Sequence, residues 1–328
     1  MTFPRARVLP ALAVAALALL AACSGTTAPS GASSPAPPVV RPVGAQDPAV
    51  VAGGSAAPPP SCDPLASYRP AGSLPVPGAM PAGSTMDRIA KRGRVILGVS
   101  QNTLLFGYRD PATNEIVGFD VDIAREVARA IFGDPTNRVQ LTAVTSAQRI
   151  PYLQNGTVDL VAATMTVNCA RWQQVNFSTV YYLAGQTVLV PASSPAKSID
   201  DLGGRKVCAA AGSTSLANLA AAKSKPVPVS VPDWTDCLVM LQQGQVDAIS
   251  TDDSILRGLA AQDPNTKLIG DRFTQEPYGL AMSQSATDFT KFVNGVLDKI
   301  RGNGTWAAIY TRWLGGPAPV PPAPVYRD

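Results

Sequence analysis

Arg171 and Asp252 are the two side chains best placed to do chemistry. Each follows a strand-like segment that ends in small or hydroxyl residues. Ala163-Thr164-Met165-Thr166 leads to Arg171, and Ser250-Thr251 leads to Asp252. Arginine offers a carboxylate a planar fork of donors, and an ionised aspartate offers only acceptors. Together they match the two charged ends of a zwitterion. Thr164 and Thr166 add hydroxyl or backbone donors beside Arg171. Gly212-Ser213-Thr214 lies between a strand and a helix, where free N–H groups also favour a carboxylate. A lone Arg or Asp on a loop is usually a solvated charge, so it is the pairing at equivalent positions that singles these out.

The equivalence comes from an internal echo. Leu153-Gln154-Asn155-Gly156-Thr157-Val158-Asp159-Leu160-Val161 parallels Leu241-Gln242-Gln243-Gly244-Gln245-Val246-Asp247-Ala248-Ile249. Both read as a helix end, a glycine cap and a Val-Asp-apolar strand. Open α/β sheets bind ligands at the carboxyl ends of their strands. Two such halves imply a site between facing lobes.

The elements around these motifs alternate. Helical patterns cover 86–92, a segment capped by Asp120 with Ile123, Val127 and Ile131 on one face and Gly133 as its stop, and 147–155. Strand patterns cover 95–99, 139–144 and 158–163. A second set follows: strands at 186–190, 205–209, 227–231, 246–250 and 278–282, with helices at 214–222, 233–243, 254–261 and 289–300. A final helix, 306–314, carries Trp306, Ile309, Tyr310 and Trp313 at core spacing. The fold class is α/β, a mixed sheet flanked by helices in each lobe.

The ends differ in character. Arg5 and Arg7 precede an apolar run, Val8–Ala22, of about 15 residues, short for a bilayer-spanning helix. Leu20-Ala21-Ala22-Cys23 then resembles a bacterial lipobox. Residues 1–22 read as a signal peptide and Cys23 as the lipidation site, with the mature protein extracytoplasmic and held by lipid to the outer face of the cytoplasmic membrane. Residues 23–84, rich in Pro, Ala, Ser and Gly, read as a semi-extended tether, and 316–328 as an inert Pro-rich tail. The remaining Cys62, Cys169, Cys208 and Cys237 suggest two disulfides out of three possible pairings. Cys208–Cys237 is favoured, since the two fall on neighbouring elements of one lobe, and Cys62–Cys169 follows by elimination.

Composition excludes several functions. The chain has no His, so His-based triads and His metal sites are absent. There is no CxxC spacing, and no metal or cofactor is expected. The 27 Lys and Arg against 23 Asp and Glu are too balanced for a nucleic-acid footprint. Ser194-Pro195-Ala196-Lys197 matches an SxxK motif, but it lies in a Pro-containing loop and SDN and KTG partners are missing. The chain is therefore not expected to be an enzyme.

These residues resemble the family 3 amino-acid-binding proteins of ABC importers. The resemblance runs over residues 85–315, through Gly118-Phe119-Asp120-Val121-Asp122, Thr164-Met165-Thr166 to Arg171, Val175-Asn176-Phe177-Ser178, Gly212-Ser213-Thr214-Ser215 and Gly302-Asn303-Gly304-Thr305-Trp306. It implies a two-lobe, periplasmic-binding-protein-like (type II) fold. Lobe 1 would be 85–184 plus 279–315 and lobe 2 would be 188–274, hinged near Gly185 and Pro277. It implies that Arg171 grips an α-carboxylate, Asp252 an ammonium, and Thr164, Thr166 and Ser213 assist. Ser146 and Arg149 match positions that meet a side-chain carboxylate in glutamate/aspartate binders. Those binders also carry an Arg where this chain has Ser100, which keeps asparagine and glutamine open. The implied partners are a free polar amino acid and an ABC permease, or alternatively a membrane sensor. The protein is expected to be a monomer.

Overall fold

The computed structural model describes residues 40–50 and 62–327. The expected signal peptide, residues 1–22, and the expected lipidation site, Cys23, lie outside the described residues. The described chain runs β1 (Ala66–Tyr68), α1 (Thr85–Arg92), β2 (Val95–Val99), β3 (Asn102–Thr103), β4 (Gly107–Arg109), β5 (Ile116–Val117), α2 (Phe119–Phe132), β6 (Val139–Ala143), α3 (Arg149–Gln154), β7 (Leu160–Ala162), α4 (Cys169–Trp172), β8 (Val175–Phe177) and β9 (Tyr182–Ala184). It continues through β10 (Gln186–Pro191), β11 (Lys206–Ala210), α5 (Thr214–Ala221), β12 (Val227–Val231), α6 (Trp234–Gln242), β13 (Ala248–Asp252), α7 (Asp253–Gln262) and β14 (Thr266–Ile269). It returns through β15 (Glu276–Tyr278), β16 (Ala281–Ser283), α8 (Thr287–Gly302), α9 (Thr305–Leu314) and β17 (Val325–Arg327).

Lobe 1 is built on a five-stranded sheet, β6-β2-β7-β16-β8. β2 is an unbroken apolar run because both its neighbours are parallel and both its faces are covered. Phe119, Ile123, Val127 and Ile131 of α2 pack on that sheet with Leu97, Leu160, Phe289 and Trp306, all at most 2% exposed. Gly118 makes the entry into α2 possible. Its φ is +142°, and a Cβ there would sit 2.2 Å from the Phe106 carbonyl oxygen.

Lobe 2 repeats the plan with order β12-β11-β13-β10-β14. β11, β12 and β13 are parallel, while β10 runs against β13 and β14. Its core joins Val207, Val229, Met240, Ile249 and Leu256. The Cys208–Cys237 disulfide ties β11 to α6 within that core. The second expected bridge, Cys62–Cys169, is also formed.

The chain crosses between lobes through β9 and returns through β15, and these two strands pair antiparallel. Both cores are therefore connected by one short ribbon on one side of the cleft.

Two expectations need correction. Asp120 does not cap α2. Gly118 holds the cap position, and the Asp120 carboxylate turns inward to accept from the Thr164 N–H (2.7 Å) and the Tyr181 hydroxyl (2.8 Å). The described parts of the segment read as a tether are also packed against the lobes. Gln46 bridges Ser230 on the β12 edge, and buried Asp47 pairs with Arg41 and Lys206. β1 pairs in parallel with β17, so tether and tail form one two-stranded sheet. Ser67 lies within it fully buried, donating to the Phe177 carbonyl and accepting from Asn294. The low-complexity composition hid these few polar anchors.

Candidate ligand cleft

α4 is four residues long and carries Arg171. It forms because Asn168 caps it, its side chain accepting from the Arg171 N–H at 2.9 Å. The guanidinium then turns into the cleft. Nη1 donates to the Thr166 carbonyl (2.7 Å), and Nη2 reaches across the lobes to the Gly212 carbonyl (3.3 Å). Arg171 is 8% exposed, and among the described residues it makes no ion pair. Burial pulls its pKa down, opposed by Glu276 and Asp252.

A second guanidinium lies deeper. Arg149 opens α3 and is 3% exposed. Its Nε donates to the Ser146 carbonyl (3.0 Å), and Nη1 to the carbonyls of Ala163 (2.9 Å) and Thr164 (3.3 Å). It too lacks an ion pair among the described residues. Burial, then the Arg171 charge, lower its pKa to about 9, so it stays cationic at neutral pH. A buried cation hydrogen-bonded only to carbonyls, with the Asp252 charge near but not paired to it, carries a desolvation penalty that is only partly offset. Two of them side by side make a place for anionic or strongly accepting groups.

The opposing charge comes from the end of β13. Asp252 is 3% exposed. Oδ2 accepts from the Tyr278 hydroxyl at 2.6 Å, while Oδ1 is buried with no hydrogen-bond partner. Burial raises its pKa to about 7, reinforced by the Glu276 charge and opposed by the Tyr278 hydrogen bond. Tyr278 is itself held by burial and by Asp252 far above its usual pKa, so it remains a donor.

The other sequence candidates surround this pair. Thr166 Oγ1 donates to Glu276 Oε2 (2.6 Å) and lies 3.4 Å from Thr214 Oγ1 on the other lobe. Thr164 sits at φ +43°, with its N–H held by Asp120 and its carbonyl by Arg149. The Ser213 hydroxyl is engaged as the cap of α5, accepting from Leu216 N–H and donating to the Ala210 carbonyl. What this turn offers the cleft is the backbone N–H groups of the first turn of α5. Ser100 pairs with Thr103 at 2.9 Å at the far end. Ser146 lines both small cavities of the cleft, which also share Arg149, Thr164 and Trp234. Each has a volume of about 10 Å³, so the lobes stand shut.

Three functional-looking residues escaped the sequence reading. Glu276 is 2% exposed and accepts from Thr166 on lobe 1 and from Thr214 (2.8 Å) and Asn218 (3.2 Å) on lobe 2. Tyr278 is fully buried on the same return strand. Both flank Pro277, where a hinge is expected, but nothing in their own residue types or spacing marks their side chains as turned toward the cleft. Trp234 begins α6 directly after β12, so the strand-end rule used for Arg171 and Asp252 also marks it.

A larger cavity, about 670 Å³, lies elsewhere, among residues 191–205 and 241–247 of lobe 2, and includes Ser194 and Lys197. It sits at the amino ends of the β11 and β13 strands, opposite the end that carries Asp252. The Ser194 hydroxyl there accepts from the Ala196 N–H as part of a turn.

Comparison with known proteins gives the same architecture. Residues 95–316 match the family described as bacterial extracellular solute-binding proteins, family 3. The ABC transporter glutamine-binding protein GlnH of Bacillus subtilis is 39% identical over 231 residues, covering 70% of this chain and 84% of its own. A glutamate/aspartate import solute-binding protein of Salmonella typhimurium is 29% identical, over 74% and 83%. The structure of an ancestral arginine-binding protein bound to glutamine superposes with a TM-score of 0.64 at 30% identity, over 69% of this chain and 99% of that one.

Proposed function

The chain belongs to the bacterial extracellular solute-binding proteins, family 3, and from that premise we propose that it captures a free polar amino acid, glutamate, aspartate or one of their amides, for an ABC importer. The fold is the two-lobe type II arrangement of its structural neighbours, and the family binds solutes.

One observation carries the ligand reading. Asp252 Oδ1 is buried without a partner in a cleft that also holds Arg171 and Arg149 without carboxylates. In this reading Arg171 binds the α-carboxylate, with Thr164, Thr166 and the α5 turn at Ser213 completing its donors. Asp252 takes the ammonium. Arg149 and Ser146 meet the side chain, with Ser100 and Trp234 at its far end. Relatives named for glutamine and for glutamate/aspartate support that ligand class.

Micromolar binding needs about 8 kcal/mol, which a small zwitterion reaches only with its charges paired away from water. Closure of the lobes supplies that enclosure, and differential affinity for the closed state drives it. The protein acts by binding, without turnover, as a monomer anchored through lipid at Cys23. The test is isothermal calorimetry with the free amino acids on wild type and on Arg171→Ala and Asp252→Ala. Each variant should fold and lose binding. Unchanged affinity in either would remove that role.

A further inference from the structure

Segments outside the family match converge on the helix that carries Arg171. Cys169 opens α4 and is bridged to Cys62. Trp172 closes it, and its Nε1 donates to the Pro64 carbonyl at 3.0 Å. From the other end of the chain, the Arg327 guanidinium lies 3.8 Å from the Trp172 ring centroid and 4.8 Å from that of Tyr68. Arg327 Nε and Nη2 are buried without hydrogen-bond partners, so the ring faces are what its charge meets. None of Cys62, Pro64, Tyr68 or Arg327 falls within residues 95–316.

A helix of one turn has no stability of its own, because nucleation is unfavourable. Its orientation must be imposed. Here the residues at its two ends, Cys169 and Trp172, are pinned, and the residue between them that faces the cleft is Arg171. We propose that the docked tether and tail form a brace that sets the aim of Arg171, with Arg327 and the Cys62–Cys169 bridge as its positioning elements. This rests on the reading of Arg171 as the carboxylate grip. Neither Arg327 nor Arg171 lines the two small cavities, but Arg171 reaches across the lobes to Gly212 while the Arg327 guanidinium meets the rings of Trp172 and Tyr68. Its effect on the ligand passes through Trp172 and α4.

The brace acts on the group that all amino acids share. Loosening it should weaken every ligand alike and leave the order among them unchanged.

The experiment is calorimetric titration of the full-length chain with L-glutamate and with L-glutamine. Arg327→Ala should raise Kd for both by roughly tenfold, the scale of a desolvated cation–π contact. Arg327→Lys should recover part of it. Combined with Arg171→Lys, the Arg327→Ala effect should largely vanish, since both act on one grip. The Cys62→Ser/Cys169→Ser pair should likewise raise Kd for both ligands alike, and truncation after residue 316 gives the same readout should that pair fail to fold. A lowered melting temperature with Kd unchanged, or full additivity with Arg171→Lys, would overturn the brace. An unchanged Kd for Arg171→Lys alone would instead overturn the reading beneath it.

Discussion

The Tyr278 hydroxyl donates to Asp252 Oδ2 at 2.6 Å, from the return strand β15 to the end of β13. Ser254 completes the chain at 2.8 Å from the same hydroxyl. The geometry fixes the carboxylate so that one oxygen is engaged and the other, Oδ1, is buried without a hydrogen-bond partner.

Asp252→Asn keeps the shape and removes the charge. We expect Kd for the preferred amino acid to rise at least roughly 100-fold, about 3 kcal/mol, the scale for truncating one member of a buried charge pair. The unliganded protein should melt no lower than wild type, because a carboxylate whose ionisation is opposed by burial has been removed. Calorimetry and a thermal melt check the two halves separately.

The same burial predicts two opposed pH dependences. Asp252 and Asp120 are both raised to about 7, chiefly by burial. Between about pH 4 and 7 the folded protein holds protons that the unfolded chain has lost, so unliganded stability falls as pH rises through that window and levels off above it. Ligand affinity should run the other way. An ammonium needs Asp252 ionised, so affinity should drop as pH falls below 7, by up to about tenfold per unit. Melts at pH 5.5 and 8, with calorimetry in buffers of different ionisation enthalpy, read both slopes.

Arg149 separates selectivity from grip. Arg149→Lys keeps the charge but loses the fork that serves the Ser146, Ala163 and Thr164 carbonyls. Leaving buried carbonyls unsatisfied should lower stability by about 1–3 kcal/mol. Affinity for glutamate should fall more than affinity for glutamine, by roughly tenfold, if Arg149 meets the ligand side chain. Equal losses for both ligands would place Arg149 in the scaffold alone.

Glu276 joins the lobes through its carboxylate, with donors from Thr166 on one side and from Thr214 and Asn218 on the other. Glu276→Ala removes that common acceptor. The unliganded protein should populate a more open form, with a larger radius of gyration by X-ray scattering, and ligand should restore the closed one. Apparent affinity should fall with the population of the closed state.

Much of this was readable in the residues. The echo around Val158-Asp159 and Val246-Asp247 located both lobes' strand ends, because a parallel strand needs the same buried run and the same glycine-capped entry wherever it occurs. Arg171 and Asp252 followed from topology. Glu276 and Tyr278 did not, since their meaning comes from the return crossing, which brings β15 beside β9 across a long stretch of chain. The docking of 62–68 and 325–327 was hidden for another reason. It depends on a disulfide, one buried serine and ring stacking, none of which leaves a periodic pattern.

Gly212 offers the sharpest test of closure. Its φ is +75°, and a Cβ would lie 2.7 Å from the Ala147 Cα and 3.0 Å from the Ala147 nitrogen, on the opposite lobe. Backbone cannot move aside as a side chain would, so Gly212→Ala should hold the lobes apart. Gly244 is the control. It has φ +67° but nothing within 4 Å of the added carbon. Both substitutions carry the left-handed strain of about 1 kcal/mol, and both should lower the melting temperature to a similar small extent. Only Gly212→Ala should raise Kd, by tenfold or more on the order of a clash of about 1–3 kcal/mol, and enlarge the liganded radius of gyration. If the two variants bind alike, the lobes do not meet at Gly212 in the bound state.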